Sequence, residues 1–488
     1  MKRNILLACV YCVLLCLSSC DDYLDVVPKG KSVLNTTEDY LGLLESINNM
    51  EYPIDDLGYV ANEKTWYKLT ELEGYKAMIR SAGFFWDEDF DRASNIINTE
   101  SSSYLLYSYC YARIARYNIL IDNIEKADGP ESDKIIGMAQ AKAMRAYNYF
   151  FLLNTFAKPY NPATSATDNG IIVRKNFELE AEARQVSVAE TYAFILQDLD
   201  EAINDLPEKA INTLRPDKAF GYAFRAKVHL FMREPDKALD DALEAIKFSH
   251  HKLWDLNAEV TNYLAQNPYM SMMPESMIWM MMRTMLRHSF TDSENLLYCY
   301  NSIAGGPSAL RKNIRVLFDE SSDLRCNLIC NPQVSYPTAE QGILVFLTPT
   351  TIMINESGIR LSEAYLMIAE CYARKGNIGL SLQYLNDLRK CRIATSHYRD
   401  LTADDVDNDP NKMLTTVREE RSRELFATCN SFFDMRRFCT EFNETLTKTY
   451  IDSEGGSHTY TLKPYSHLLT FPFPLNAMQT SNLIQNSK

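Results

Sequence analysis

Aromatic residues placed beside acids and amides carry the clearest binding chemistry in this sequence, and they fall in two segments. A flat ring can stack on an apolar face of a ligand, while neighbouring carboxylates and amides bond its hydroxyl groups, so such segments suit a ligand that offers both. One segment lies at residues 66–90 and the other at 296–302. The candidate ligand-binding residues are Trp66, Tyr67, Trp86 and Asp87 in the first segment, and Tyr298, Tyr300 and Asn301 in the second.

Trp86 is the most specific of these candidates. It stands in "FFWDEDF", where Asp87 follows it directly, and a large core residue is less expected between charges than a stacking platform. We therefore predict that Trp86 presents a ring face to ligand. The alternative is that Trp86 and Tyr298 are core residues, and we expect at least one of the two segments to reach the ligand.

Motifs for catalysis or for a bound cofactor are missing from the sequence. It contains no H-E-x-x-H, no G-x-S-x-G and no phosphate-binding loop. The charged run from Arg418 to Glu424 is typical of a helix face with ion pairs. The run from Met277 to Met282 indicates a short buried strand or core segment rather than a copper site, because consecutive thioethers point in different directions. We predict a protein that is not an enzyme and holds neither metal nor cofactor.

Cysteines are divided between the N-terminal segment and the rest of the chain. Four of the twelve precede or include Cys20, and only Cys326 and Cys330 among the remaining eight are closely spaced. No second pair lies nearby to complete a zinc site. Most of these eight cysteines are therefore interpreted as small buried hydrophobic residues.

The N-terminus has the pattern of a bacterial lipoprotein signal. Two basic residues precede the uncharged segment Ile5–Leu17, whose thirteen residues are too few to span a bilayer comfortably. Leu17-Ser18-Ser19-Cys20 resembles a lipobox, so we predict a signal peptide at 1–19 and lipidation of Cys20, which would anchor the chain to a membrane. A plain secretory signal cleaved near Ser19 is the alternative.

Composition favours a large helical protein. The 488 residues are 46% hydrophobic and 23% charged, with 17 glycines. The formal net charge of −14 argues against a nucleic-acid partner, since nucleic acids are themselves polyanions.

Helical periodicity is strong in several segments and repeats in two of them. Apolar spacing predicts helices over 104–126, 139–156 and 188–206. The segments 219–247 and 362–390 place a small residue (Ala226 or Ala369), a turn and a second helix at matching offsets. Both resemble the tetratricopeptide helix-turn-helix unit.

Several weak motifs, in order along nearly the whole mature chain, resemble the SusD/RagB family. They are the lipobox followed by "DDYLDVVPKG", then "IRLSEAYLMIAECYARKGN", "LNDLRK", "EERSRELF", "FFDMRRF" and the ending "FPFPLNAMQTSNLIQNSK". The resemblance implies a mostly α SusD-like fold, in which tetratricopeptide-like helix pairs scaffold a loop-rich region. It also implies that the glycan site draws on both aromatic segments.

The resemblance further implies a surface-exposed lipoprotein of the outer membrane. Such a protein binds glycans and delivers them to a SusC-like TonB-dependent transporter. We divide the chain into the signal peptide, an N-terminal SusD-like region at 20–215, and a C-terminal SusD/RagB region at 216–488 with the central insertion. A RagB-like peptide-binding lipoprotein, a protein-interaction scaffold and, least favoured, a glycan-cleaving enzyme are the alternatives.

Overall fold

The protein is described by a computed structural model covering most of the chain. The described residues are 34–61, 79–95, 102–178, 183–285, 294–301, 308–310, 316–319, 321–329, 345–347, 355–452 and 455–486. Cys20, Trp66, Tyr67 and Cys330 lie outside them.

Helices dominate the described residues, as predicted. They are α1 (Thr37–Gly42), α2 (Asp55–Val60), α3 (Ile79–Phe85), α4 (Ser102–Asn123), α5 (Glu131–Phe156), α6 (Val188–Ile203), α7 (Lys218–Phe231), α8 (Pro235–Phe248), α9 (Leu256–Gln266), α10 (Glu275–Met285), α11 (Leu324–Ile329), α12 (Leu361–Arg374), α13 (Ile378–Lys390), α14 (Pro410–Glu424), α15 (Cys429–Glu441) and α16 (Leu475–Thr480). Short 3₁₀ helices cover Ile47–Met50, Ile124–Lys126, Pro268–Met272, Ala403–Val406 and His467–Leu469.

Strands within the described part of the chain form small antiparallel pairs. They are β1 (Asn169–Ile172), β2 (Gln185–Ser187), β3 (Asn295–Leu297), β4 (Ser308–Leu310), β5 (Val345–Leu347), β6 (Ile359–Arg360), β7 (Leu446–Ile451) and β8 (Ser457–Leu462). The pairs are β1 with β2, β3 with β6, β4 with β5, and β7 with β8. Each of these sheets has only two strands, so the described strands do not form a separate sheet domain.

The helices pack in chain order into a layered array. Helix α4 packs on α5, α5 on α6, α6 on α7 and α7 on α8, after which α8 packs on α12 and α12 on both α13 and α14. One hydrophobic core runs through α4 to α8 and reaches α12, and a second cluster lies between α12, α13 and α14. Phe433 of α15 joins the first of these by placing its ring 5.4 Å from Phe151 and 6.4 Å from Phe231. The residues on both sides of position 215 therefore share this core, and the division proposed there stays a prediction.

Local signals in the sequence explain where these helices begin. Ser187 and Glu190 form a reciprocal capping box at the start of α6. Asp217 caps α7 by accepting a hydrogen bond from the Phe220 amide, and Asn377 caps α13 in the same way. Each cap satisfies amide groups that a helix terminus leaves without partners inside the helix.

The two predicted repeats form the helix pairs α7–α8 and α12–α13. Ala226 and Ala369 are fully buried where the paired helices approach, and Ser381 of α13 donates a hydrogen bond to the Ala369 carbonyl at 2.7 Å. Both turns need a left-handed residue. It is Gly376 (φ 74°) in the second repeat and Arg233 (φ 61°) in the first. The tetratricopeptide-like interpretation is confirmed at both places.

Cysteines in the described residues lie mainly in the interior of the protein. Cys110, Cys299, Cys326, Cys371, Cys429 and Cys439 are buried, and Cys391 is half-buried. Burial raises the pKa of the Cys110 and Cys429 thiols to about 12. The prediction of small buried hydrophobic residues is confirmed for these positions. None of the described helices has the length and apolar character that crossing a membrane requires.

The charged run of α14 lies in buried ion-pair networks. Glu424 contacts Arg325, Arg360 and Arg392 at 2.9, 3.3 and 2.8 Å. Glu420 lies 2.8 Å from Arg325. The predicted ion pairs are therefore present. Most of the partners lie outside α14, so these pairs join the helix to other elements of the fold.

Candidate functional site

Both predicted aromatic segments are tied to one short helix, α2. The side chain of Asn301 accepts a hydrogen bond from the Ile54 amide and donates one to Asp55, each at 3.3 Å, at the start of α2. The indole Nε1 of Trp86 donates to the carbonyl of Val60, at the other end, at 2.9 Å. Six helical residues span about 9 Å. The fold thus brings the two segments into one region.

Trp86 itself is a core residue, so its ring face is not exposed as predicted. The residue still lines the cavity described below, and its contact with ligand stays a prediction. Only 5% of its surface is exposed. Its ring packs in a cluster with Cys439, Leu462 and Leu468, and the buried ammonium of Lys448 lies 4.5 Å from the ring centroid. The hydrophobic gain from burying a large indole outweighs the influence of the acidic residues that follow it in sequence.

The backbone at Trp86 explains how a buried tryptophan can precede exposed acids. Helix α3 ends in a Schellman-type turn. The amide of Asp87 donates a hydrogen bond to the carbonyl of Ala82, and the amide of Trp86 donates one to the carbonyl of Gly83. Trp86 occupies the left-handed position of this turn, with φ 49°, where glycine is usual. The turn reverses the chain, so that the ring points into the core and Asp87 is exposed.

Tyr298 is also buried, with 1% of its surface exposed, and its contact with ligand stays a prediction. Its amide donates to the carbonyl of Thr213 at 2.8 Å. Tyr300 is half-buried, pairs with the backbone of Met50 and Tyr52, and stacks on Tyr298 at 6.3 Å. Asn301 is buried and holds α2, so the second segment mainly supports the first.

A cavity of about 660 Å³ opens beside Asp87. Its aromatic wall consists of Phe85 at the end of α3 and Tyr460 of β8, both half-buried, with ring centroids 5.4 Å apart. The exposed hydroxyl-bearing residues Thr459 and Thr461 flank Tyr460. We call Phe85, Tyr460, Asp87 and these two threonines the aromatic cavity.

The β7–β8 hairpin positions the far wall of the aromatic cavity. Its register pairs Lys448 with Tyr460 and Leu446 with Leu462. Leu462 is fully buried and Tyr450 nearly so, which fixes the hairpin against the core. Sequence reasoning missed Tyr460, although alternating "HTYTL" after two glycines is the usual signal for the second strand of a hairpin.

The rim of the aromatic cavity is acidic. Asp87 and Asp89 are exposed, and the carboxylate of Asp87 accepts a hydrogen bond from the Asp89 amide at 3.0 Å. Glu88 pairs with Lys463 at 3.3 Å. Burial would raise the pKa of Glu88, but its hydrogen bond with Ser466 and its contact with Lys463 lower the pKa overall. Three carboxylates and one ammonium group suit a neutral ligand with hydroxyl groups better than an anionic one.

This geometry is suited to binding polyhydroxylated ligands. The rings can stack on apolar faces, and the carboxylates and threonine hydroxyls can bond hydroxyl groups. Among the described residues, no group of three or more His, Cys, Asp or Glu side chains is placed to hold a metal ion. Fold and site together define a helical-repeat protein of the binding type, with its candidate site on loops and a hairpin beside the array.

Comparisons with known proteins identify the family. The family model described as "Starch-binding associating with outer membrane" matches residues 22–230, and the model described as "SusD family" matches residues 348–484. The chain belongs to the SusD/RagB family, and the predicted SusD-like fold is confirmed. A search of curated proteins finds none that matches.

Solved structures show the same fold along nearly the whole chain. A putative sugar binding protein from Bacteroides vulgatus ATCC 8482 is 20% identical, with a TM-score of 0.69, and the match covers 93% of this chain and 99% of that one. A SusD superfamily protein from Bacteroides thetaiotaomicron VPI-5482 is 18% identical, with a TM-score of 0.68 and coverages of 93% and 100%. A laminarin binding SusD-like protein is 17% identical, with a TM-score of 0.61 and coverages of 93% and 99%.

Proposed function

We propose that this chain is a surface-exposed, glycan-binding lipoprotein that captures oligosaccharides and delivers them to a SusC-like TonB-dependent transporter. The observation that carries the proposal is the aromatic cavity, with two half-buried rings beside exposed carboxylates and hydroxyls, in a member of the SusD/RagB family. The names of the similar proteins, which mention starch, sugar and laminarin, support a glycan as the ligand class.

The ligand prediction is tested by removing single side chains that line the aromatic cavity without unfolding the protein. We expect Tyr460→Ala to lower the affinity for the bound glycan about tenfold, since a stacked aromatic platform contributes on the order of 1–3 kcal/mol by analogy with base stacking. Asp87→Ala should also weaken binding while leaving the melting temperature unchanged, because Asp87 is exposed. Calorimetry after a screen of starch, laminarin and other neutral polysaccharides measures both effects.

The control for these variants is Tyr269→Ala, which removes an exposed tyrosine that does not line the aromatic cavity. It should bind like wild type. Failure of the wild-type protein to bind any glycan in the screen, combined with binding of a peptide, would favour the RagB-like alternative. Binding of neither, with capture of another protein by the helical array, would favour the scaffold.

The anchor prediction rests on Cys20 and on the acidic residues Asp21, Asp22 and Asp25, which resemble an export signal for surface lipoproteins. We expect Cys20→Ala to abolish lipid labelling and to leave the chain unprocessed or in the soluble fraction, because a membrane anchor of several acyl chains is then lost. Membrane fractionation and protease access on whole cells measure this. A variant that stays in the membrane and remains accessible would contradict the lipoprotein assignment.

The partner and the absence of catalysis are part of the same proposal. The mature protein should co-purify with an outer-membrane transporter in detergent and should release no reducing sugar from the glycan that it binds. Asp241 and Glu420 each follow another acid in the sequence, and each pairs with an arginine, Asp241 with Arg225 at 2.6 Å and Glu420 with Arg325 at 2.8 Å. Turnover that is lost on replacing Asp87 or Asp89 would support the enzyme alternative instead.

A further inference from the structure

A second cavity, of about 520 Å³, is lined in part by residues that closely follow the lining of the aromatic cavity in the chain. The segment 463–467 connects the two linings. Lys463 lines the aromatic cavity, whereas Tyr465, Ser466 and His467 line the second one. Glu88, which lines the aromatic cavity, contacts both ends of this segment. Its carboxylate pairs with Lys463, and its carbonyl lies 3.0 Å from the His467 ring nitrogen Nε2. The two linings are therefore connected by one anchored segment.

Tyr465 gives the second cavity an exposed aromatic surface. Its exposed fraction is 61%, which is high for so large a ring. Its hydroxyl donates to the carbonyl of Thr440 at 3.3 Å, which orients the ring. An oriented and exposed ring loses little conformational entropy when a ligand stacks on it.

Polar groups in the second cavity are suited to hydroxyls and carry little net charge. The exposed amide of Asn169 and the half-buried amide of Asn161 line it. Its lysine, Lys158, pairs with Asp168 at 2.9 Å, and Thr164 donates to the same carboxylate at 2.5 Å. Because these charges neutralise each other, the cavity favours a neutral polyhydroxylated ligand over an ion.

The rims of the two cavities are close along the chain. Lys463 and Tyr465 are two residues apart, so their Cα atoms are separated by at most about 7 Å. This distance is comparable to the length of one sugar unit. A chain of several sugar residues is therefore long enough to reach from the lining of one cavity to that of the other.

We propose that the two cavities form one extended binding surface for a chain-shaped neutral glycan, in which Tyr465 is a second stacking platform. This inference rests on the proposed function and adds to it a preference for long oligosaccharides over disaccharides. The aromatic cavity binds one part of the chain, and the ring of Tyr465 with Asn161 and Asn169 binds a later part.

The test compares short and long ligands on the lipid-free mature protein. The probes are maltose, maltoheptaose, laminaribiose and laminariheptaose, measured by calorimetry. For wild type we expect a heptasaccharide to bind more tightly than the matching disaccharide. Tyr465→Ala should weaken binding of that heptasaccharide about tenfold and leave the disaccharide unaffected. Tyr465→Phe loses the hydrogen bond to Thr440 but should retain most of the affinity because it keeps the ring.

Two failures give different results. If Tyr460→Ala abolishes heptasaccharide binding while Tyr465→Ala leaves it unchanged, the extended surface is wrong and the proposed function stands. If wild type binds none of the four probes and no polysaccharide of the wider screen, the proposed function is wrong and the extended surface with it. Tyr269→Ala is the matched control, since it removes another exposed tyrosine ring.

Discussion

Replacing Trp86 by alanine is expected to lower the free energy of unfolding by about 3–5 kcal/mol, the usual cost of removing a buried tryptophan from a core. The variant loses the packing of the indole against Leu462 and Leu468 and the hydrogen bond to the Val60 carbonyl. It also leaves the buried ammonium of Lys448 without the face of the ring. Chemical denaturation, monitored by circular dichroism, measures this decrease in the free energy of unfolding.

Trp86→Phe and Asp87→Ala are the comparisons for this experiment. Trp86→Phe keeps much of the apolar volume and should lose clearly less stability than the alanine variant. Asp87→Ala changes the exposed neighbour and should leave the unfolding curve in place. A Trp86→Ala protein with unchanged stability and lost glycan affinity would instead show that Trp86 contacts ligand and that its burial is not maintained in solution.

Glu370→Gln is expected to cost a similar amount, about 3–5 kcal/mol, because it removes one partner from a buried ion-pair network. The Glu370 side chain is fully buried and accepts two hydrogen bonds of 2.7 Å from Arg437, and it lies 2.9 Å from Arg374. The substitution keeps the size of the side chain but removes the negative charge that balances the buried guanidinium groups of Arg374 and Arg437. Glu244→Gln is the control, since its ion pair with Lys247 is exposed.

The same network predicts how the stability depends on pH. Burial by itself would raise the pKa of Glu370, but Arg437 and Arg374 lower the pKa well below its ordinary value. A depressed carboxyl pKa stabilises the folded state fully above the unfolded value, about 4.3 for glutamate, and this contribution is lost as the pH falls towards the folded value. The difference between wild type and Glu370→Gln should thus be constant near neutral pH and shrink below about pH 4. An equal difference at pH 7 and pH 3 would contradict the ion-pair explanation.

Much of the scaffold could be predicted from the sequence because its signals are local. The periods of apolar residues at 104–126, 139–156 and 188–206 correspond to α4, α5 and α6, and the two repeats correspond to α7–α8 and α12–α13. Helical hydrogen bonds join residues four apart, so a short window contains the information. The run at Met277–Met282 is an exception, since it lies in helix α10 and not in a strand, and Met277 is exposed.

The candidate site was less predictable, because burial depends on residues far apart in the chain. The sequence determined that Trp86 stands beside acids, and it carried the motifs that indicate the family. Only the tertiary structure decided which way the ring points, since residues 439–469 supply the pocket that encloses it. It also decided that Tyr460 faces Phe85. These residues are 375 positions apart in the chain, and they meet because the hairpin packs beside the end of helix α3. The physical reason is that hydrophobic burial is a property of the assembled surface, whereas periodicity and capping are properties of the local chain.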